Sequence, residues 1–134
     1  RMNFRIDVCK KALEQGFYPD LIASDWTDDK YNLSDTGKSL TFVLAKYLEL
    51  GMPLMEVIRC VTETPAKCMG MEGQIGTLRP GAYADVAVFR MADKKAVHRD
   101  CNGVAFETGR LLIPQLVFVD GEPAFCQADF GLFS

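Results

Sequence analysis

One segment in the first 70 residues reads as a strand, and neither of its faces is polar. Asp20-Leu21-Ile22-Ala23-Ser24-Asp25 is a short apolar run without strict alternation, as expected of a strand covered on both faces in a parallel sheet. Upstream, Phe4, Val8 and Ala12 fall at i, i+4 and i+8 with Cys9 and Leu13 beside them. Gly16 follows as a stop, so the spacing predicts an amphipathic helix over residues 4–15. Helix, glycine turn and buried strand in that order are a piece of β/α architecture.

Residues 26–38 are polar, rich in Asp, and carry the turn formers Asn, Ser and Gly, so they read as a loop. Helix then returns. Ser39 caps a run in which Leu40, Val43, Leu44, Tyr47 and Leu48 recur at helical spacing up to Gly51. Pro53 opens a second helix carrying Leu54, Val57, Ile58 and Val61. Thr64-Pro65 reads as a cap and first helical residue of a third, short helix that runs through Met69 and ends at Gly70.

Composition changes at Gly70, where Gly73, Gly76 and Pro80 precede segments that alternate like strands. Residues 84–89 form one expected strand. Leu116–Val119 and Glu122–Phe125 form a hairpin, because Asp120-Gly121 supplies the positive φ angles of a type I′ turn. Ala96-Val97-His98 is a further short strand between them.

The balance of charge removes whole classes of function. Fifteen Lys and Arg against 18 Asp and Glu, a net charge of −3, leave no basic face for a phosphate backbone, so nucleic acid is not an expected partner. No stretch approaches the roughly 20 apolar residues of a bilayer span, and no signal peptide is recognisable, so neither a membrane nor secretion is expected. Five cysteines, an odd number without a C-x-x-C pair, read as buried thiols of a reducing cytoplasm. The chain begins Arg1-Met2, which is not how a translated protein starts. The first residue is either extraneous or a sign that the chain is a piece of something longer.

Among residues that could carry chemistry, Asp25 stands out, an acid at the C-terminal end of an apolar strand, where ligands and catalytic groups gather in β/α sheets. By position alone it could equally cap the next loop. Asp25, Asp28, Asp29 and Asp35 offer oxygens to a hard cation, but their spacing matches no EF-hand loop, and a solvated face is the simpler reading. The sole imidazole, His98, reads as a surface residue. Gly73-x-x-Gly76 and the stretch from Gly76 to Gly81 precede a strand rather than a helix, so they read as turn chemistry and not as a phosphate cradle.

Three motifs in order carry a family resemblance. They are Gln15-Gly16-Phe17-Tyr18-Pro19-Asp20-Leu21-Ile22-Ala23-Ser24-Asp25, then Thr64-Pro65-Ala66-Lys67 with Gly70 behind it, then Ile75-Gly76-Thr77-Leu78-Arg79-Pro80-Gly81-Ala82-Tyr83-Ala84-Asp85-Val86-Ala87-Val88-Phe89. Together with Gly109–Pro114 and Val119–Glu122 they resemble the C-terminal part of metal-dependent amidohydrolases, in particular the dihydroorotase-related amidohydrolase/deacetylase group. The resemblance runs from about Phe4 to Phe125. It implies an α/β fold in which residues 1–70 are the last β/α elements of a TIM (β/α)8 barrel. Residues 71–134 would be the C-terminal strands of a small β-sandwich domain.

The resemblance also implies chemistry. Asp25 would be both metal ligand and proton shuttle, accepting a proton from the metal-bound water that attacks an amide carbonyl and passing it to the leaving nitrogen. The implied cofactor is a divalent metal, zinc, held by the intact parent and not by this chain alone. The family's His-x-His pair, bridging carboxylated Lys or Glu, and two further His ligands have no counterpart in a sequence with one His. Ser24 and Trp26 flank the acid without an assignable contact, and Asp85 belongs to the structural part of the resemblance.

The implied substrate is a small-molecule amide, and the implied activity belongs to a parent enzyme of which this would be an inactive piece. The alternative is a non-enzymatic interaction or regulatory module derived from the same fold. A third reading, a calcium loop on the acids between 25 and 35, would require cation-dependent stability. Because one barrel strand cannot close a barrel, the apolar faces of Leu21, Ile22, Leu44 and Val57 are expected to need a cover. That cover would be a second copy, in a homo-oligomer, or the missing N-terminal part.

Overall fold

Helices occupy the first half of the chain and strands the second. The computed structural model describes residues 4–24 and 39–130. Over those residues the order is α1 (Ile6–Glu14), α2 (Leu40–Glu49), α3 (Leu54–Arg59), α4 (Glu63–Cys68), β1 (Val86–Arg99), β2 (Ala105–Val119) and β3 (Glu122–Cys126).

The helix boundaries follow from local chemistry. Gly16 takes φ +75°, which lets its N–H reach Leu13 O and the Phe17 N–H reach Ala12 O, both at 2.9 Å, closing α1. Ser39 Oγ accepts from the Phe42 N–H at 3.2 Å and starts α2 as its sequence position predicts. Pro53 occupies the cap position of α3, with extended backbone. The start of α4 corrects the sequence expectation: Thr62 is its cap, and Thr64 and Pro65 lie inside the first turn. Proline is tolerated there because first-turn N–H groups have no intrahelical acceptor to lose.

The expected strand at 20–25 is a second correction. Its described residues, 20–24, form no ladder; the Ile22 N–H donates instead to Cys60 O at 3.3 Å. A parallel strand exists only by pairing with neighbours, and no such neighbour occurs among the described residues.

The sheet is an antiparallel meander in the order β1-β2-β3. Asp120 (φ 51°) and Gly121 (φ 81°) form the expected turn between Val119 and Glu122. Ala96-Val97-His98 is not a separate strand but the far end of β1, which is continuous over 14 residues. Two irregularities in register conceal this continuity. Val88 pairs Leu116 while Phe89 pairs Pro114, so Gln115 is extra; further along, Lys94 and Lys95 lie opposite Gly109 alone. Pro114 is tolerated in the central strand because it sits at the first bulge and beyond the reach of β3, which pairs only Leu116 to Val119.

One core joins both halves. Leu13, Ile22, Val43, Leu44, Met52, Val57 and Cys60 come from the helical half and Leu112 from β2. Ile22, Leu44 and Val57 are therefore covered within the chain, against the expectation that all four named apolar faces lie open; Leu21 remains half exposed. The thiols are corrected too: Cys60 is buried and Cys9 half-buried, while Cys68, Cys101 and Cys126 are exposed, and none is in a disulfide. No helix among the described residues is long and apolar enough to cross a membrane. Leu112→Ala should cost about 2–4 kcal/mol, because it empties the sheet's contribution to this core. Urea unfolding reads it, and a loss below about 1 kcal/mol would show that the sheet is not fastened there.

Candidate functional site

The segment leading to Asp25 is held at three points. The glycine turn at Gly16 reverses the chain off α1, the thiol of Cys60 donates to Pro19 O at 3.0 Å, and Cys60 O accepts from the Ile22 N–H. Ile22 plugs into the core, 7% exposed, and Ser24 is half-buried. Cys60 closes α3, so the segment is pinned to the end of that helix. Asp25 itself lies outside the described residues, as do Trp26, Asp28, Asp29, Asp35 and the whole loop expected at 26–38.

Among the described residues, Lys46 on α2, His98 on β1 and Asp100 just beyond it are buried titratable groups. His98 is fully buried, reversing the expectation of a surface imidazole. Its ring lies 4.0 Å from that of Phe42 and 6.3 Å from that of Phe106, and Nε2 is 3.2 Å from Thr108 Oγ1. The Thr108 hydroxyl donates to Ala96 O at 3.5 Å, so its oxygen accepts from His98 Nε2–H, and Nδ1 is left as a bare lone pair without a partner. Burial, helped by the Lys46 ammonium, pushes His98 down to about 4. Lys46 is 5% exposed with Nζ 4.4 Å over the Phe4 ring, and its own burial lowers its pKa.

Asp100, two residues beyond His98, is 2% exposed. Its Oδ1 accepts from the N–H groups of Asn102 (2.8 Å) and Val104 (2.9 Å), while Oδ2 accepts from the Ile6 N–H at 3.4 Å. Burial raises the carboxyl, but the three backbone donors outweigh it and hold it below its ordinary value. The turn between β1 and β2 thus supplies a capping carboxylate to the first turn of α1. The Cys101 N–H adds a bond to Phe4 O at 2.9 Å. The motif acid Asp85 holds a turn in a comparable way, with its Oδ1 accepting from the Asp120 N–H at 2.8 Å.

No group of three or more His, Cys, Asp or Glu among the described residues could hold a metal ion. These residues do not make a metal centre by themselves. Two signals in the sequence do point to what is buried: Ala96, His98 and Asp100 share one face by strand alternation, and Asp100-Cys101-Asn102-Gly103 has the make-up of an Asx turn.

A model of the amidohydrolase family matches residues 5–124. A deacetylase of Agrobacterium fabrum is 27% identical over 120 residues, which are 90% of this chain and 29% of that protein. Among solved structures, an adenine deaminase aligns with a TM-score of 0.84 at 23% identity, over 92% of this chain and 33% of its own. A dihydroorotase aligns with a TM-score of 0.77 at 26% identity, over 92% and 32% respectively. The chain spans about a third of the length of these relatives.

Proposed function

We propose, for a chain that belongs to the amidohydrolase family, that it supplies the C-terminal part of a metal-dependent hydrolase of amide or cyclic amide C–N bonds. The observation that carries this reading is the family match across residues 5–124, in the company of a deacetylase and a dihydroorotase. Residues 1–70 would close a (β/α)8 barrel, and residues 71–134 would complete a small β-domain. Among the described residues, 20–24 form no ladder and the sheet has three strands, which suits a part that the rest of a larger protein completes.

Within that enzyme Asp25 is assigned as one carboxylate ligand of a divalent metal, zinc in this reading, which when bound would supply Lewis acidity and an acidified water. The carboxylate of Asp25 carries a proton from the attacking water to the leaving nitrogen. Gly16, Cys60 and Ile22 hold the described part of the segment that leads to Asp25. The remaining ligands come from outside this chain, whose described residues offer no cluster of their own. Val8, Phe17, Leu21 and Met55 are each at least half exposed, which suits association with the missing part or a second copy. A cytoplasmic location belongs to the same proposal.

Metal analysis and amide hydrolysis by the 134-residue chain and by a longer polypeptide containing it test the reading. The short chain is expected to hold less than stoichiometric metal and to turn nothing over. The longer one is expected to hydrolyse and to stop on chelation. Turnover with bound metal in the short chain would refute its incompleteness, and chelator-insensitive turnover in the longer one would refute metal dependence.

A further inference from the structure

We propose that the far end of the β1–β2 hairpin, residues 96–108, is an acid-released clasp that holds the sheet onto α1 and α2. The clasp has two anchors placed two residues apart. His98 presses a fully buried ring between Phe42 of α2 and the Thr108 and Phe106 side chains of β2. Asp100 carries the next turn onto the first N–H of α1, where the Cys101 N–H and Phe4 O add a backbone bond.

The hydrogen-bond arrangement accepts only the neutral imidazole. Nε2–H already serves Thr108, so an added proton must go to Nδ1, which is enclosed and has no acceptor. The charged groups around it make matters worse. From α2 the group that acts on the ring is Lys46, a second cation; Glu49, on the same helix, is turned to the Gly109 N–H. From β2, Glu107 pairs outward with Lys95. From α1, Arg5 and Asp7 pair with each other, and the Asp100 carboxylate on His98's own strand is filled by backbone donors. No described carboxylate is coupled to either His98 or Lys46.

The direction follows from linkage. His98 has its ordinary affinity for protons when the clasp is open and a weakened one when it is closed, at about 4 against 6.5. The closed state is therefore fully favoured above pH 6.5 and loses ground as pH falls from there toward 4. Asp100, held below its ordinary value, keeps its anchor until lower pH and then fails in the same direction. Acid opens both anchors and alkali neither.

Amide hydrogen exchange on the full chain, corrected for intrinsic rates, reads the opening segment by segment. Between pH 7.5 and pH 5, opening of residues 96–108 should increase about thirtyfold, the ratio that linkage gives for those two proton affinities. Protection of Leu116–Val119 against β3 should change by less than about twofold. His98→Gln, which keeps a hydrogen-bonding amide but cannot titrate, should abolish the increase; Lys46→Met, which keeps a flexible apolar stem over Phe4, should reduce it. Because His98 is the sole histidine, its NMR titration identifies the group even if His98→Gln does not fold. A midpoint near 6.5, an unchanged increase in a folded His98→Gln, a flat profile, or simultaneous loss of protection in β3 would each overturn the clasp.

Discussion

Gly76→Ala should cost about 3–5 kcal/mol, a large share of the roughly 5–15 kcal/mol that holds an ordinary domain folded. Two independent penalties combine. Gly76 has φ +68°, where an L side chain costs roughly 1–2 kcal/mol. A methyl group built there would fall on the carbonyl oxygen of Thr62, 2.7 Å from its carbon and 3.2 Å from Cβ of Ala66. Thr62 is the cap of α4, its carbonyl accepts from the Ala66 N–H at 3.2 Å, and Ala66 is 1% exposed, so neither neighbour can yield cheaply. Gly73 separates the two penalties: its φ is +78°, but the added methyl meets nothing within 4 Å. Gly73→Ala should therefore cost about 1 kcal/mol. Urea midpoints of the two variants settle the matter, and equal losses would mean that backbone strain alone matters.

This contrast shows how far the sequence can be read. The glycines of the 73–81 stretch mark turns on composition alone, and both Gly73 and Gly76 do take positive φ. What sets Gly76 apart is its approach to the distant helix cap at Thr62, which no local pattern carries. The same division runs through the chain. The stop at Gly16, the cap at Ser39 and the turn at Asp120-Gly121 depend on a few adjacent residues, and they stand where the sequence puts them. The expected strand over 20–25 depends on partners that are not adjacent, and over 20–24 it has no ladder.

The length of β1 is hidden for a related reason. Asp93-Lys94-Lys95 breaks the apolar alternation, yet a bulge opposite Gly109 absorbs the two lysines and the strand continues. Once the strand is continuous, His98 follows Ala96 on the inward face, and packing against α2 buries it. A short isolated strand would have left it at the surface. The candidate site is the least legible part, because a strand-end acid gains meaning only from ligands on other strands. Asp25 stands out by position and then by resemblance, and its surroundings lie outside the described residues.

Asp25→Asn in a longer polypeptide that contains this chain should lower kcat by about 10²–10⁴, the usual contribution of one positioned acid–base group. The substitution keeps the size of the side chain and one acceptor oxygen but removes the negative charge and the site that takes a proton. Metal retention should weaken at the same time, whereas urea stability should stay within about 1 kcal/mol, as is usual for a substitution that keeps side-chain size. Asp85→Asn is the informative companion, because Asp85 lies in the more conspicuous motif. Its oxygen holds the Asp120 N–H, an acceptor role that an asparagine oxygen can fill. Turnover in Asp85→Asn should stay within about twofold, with any deficit appearing as stability. Near-normal kcat in Asp25→Asn would remove the proton-shuttle assignment. A large loss in Asp85→Asn with intact stability would move that assignment to the β-domain motif, where the geometry now shows only a turn being held.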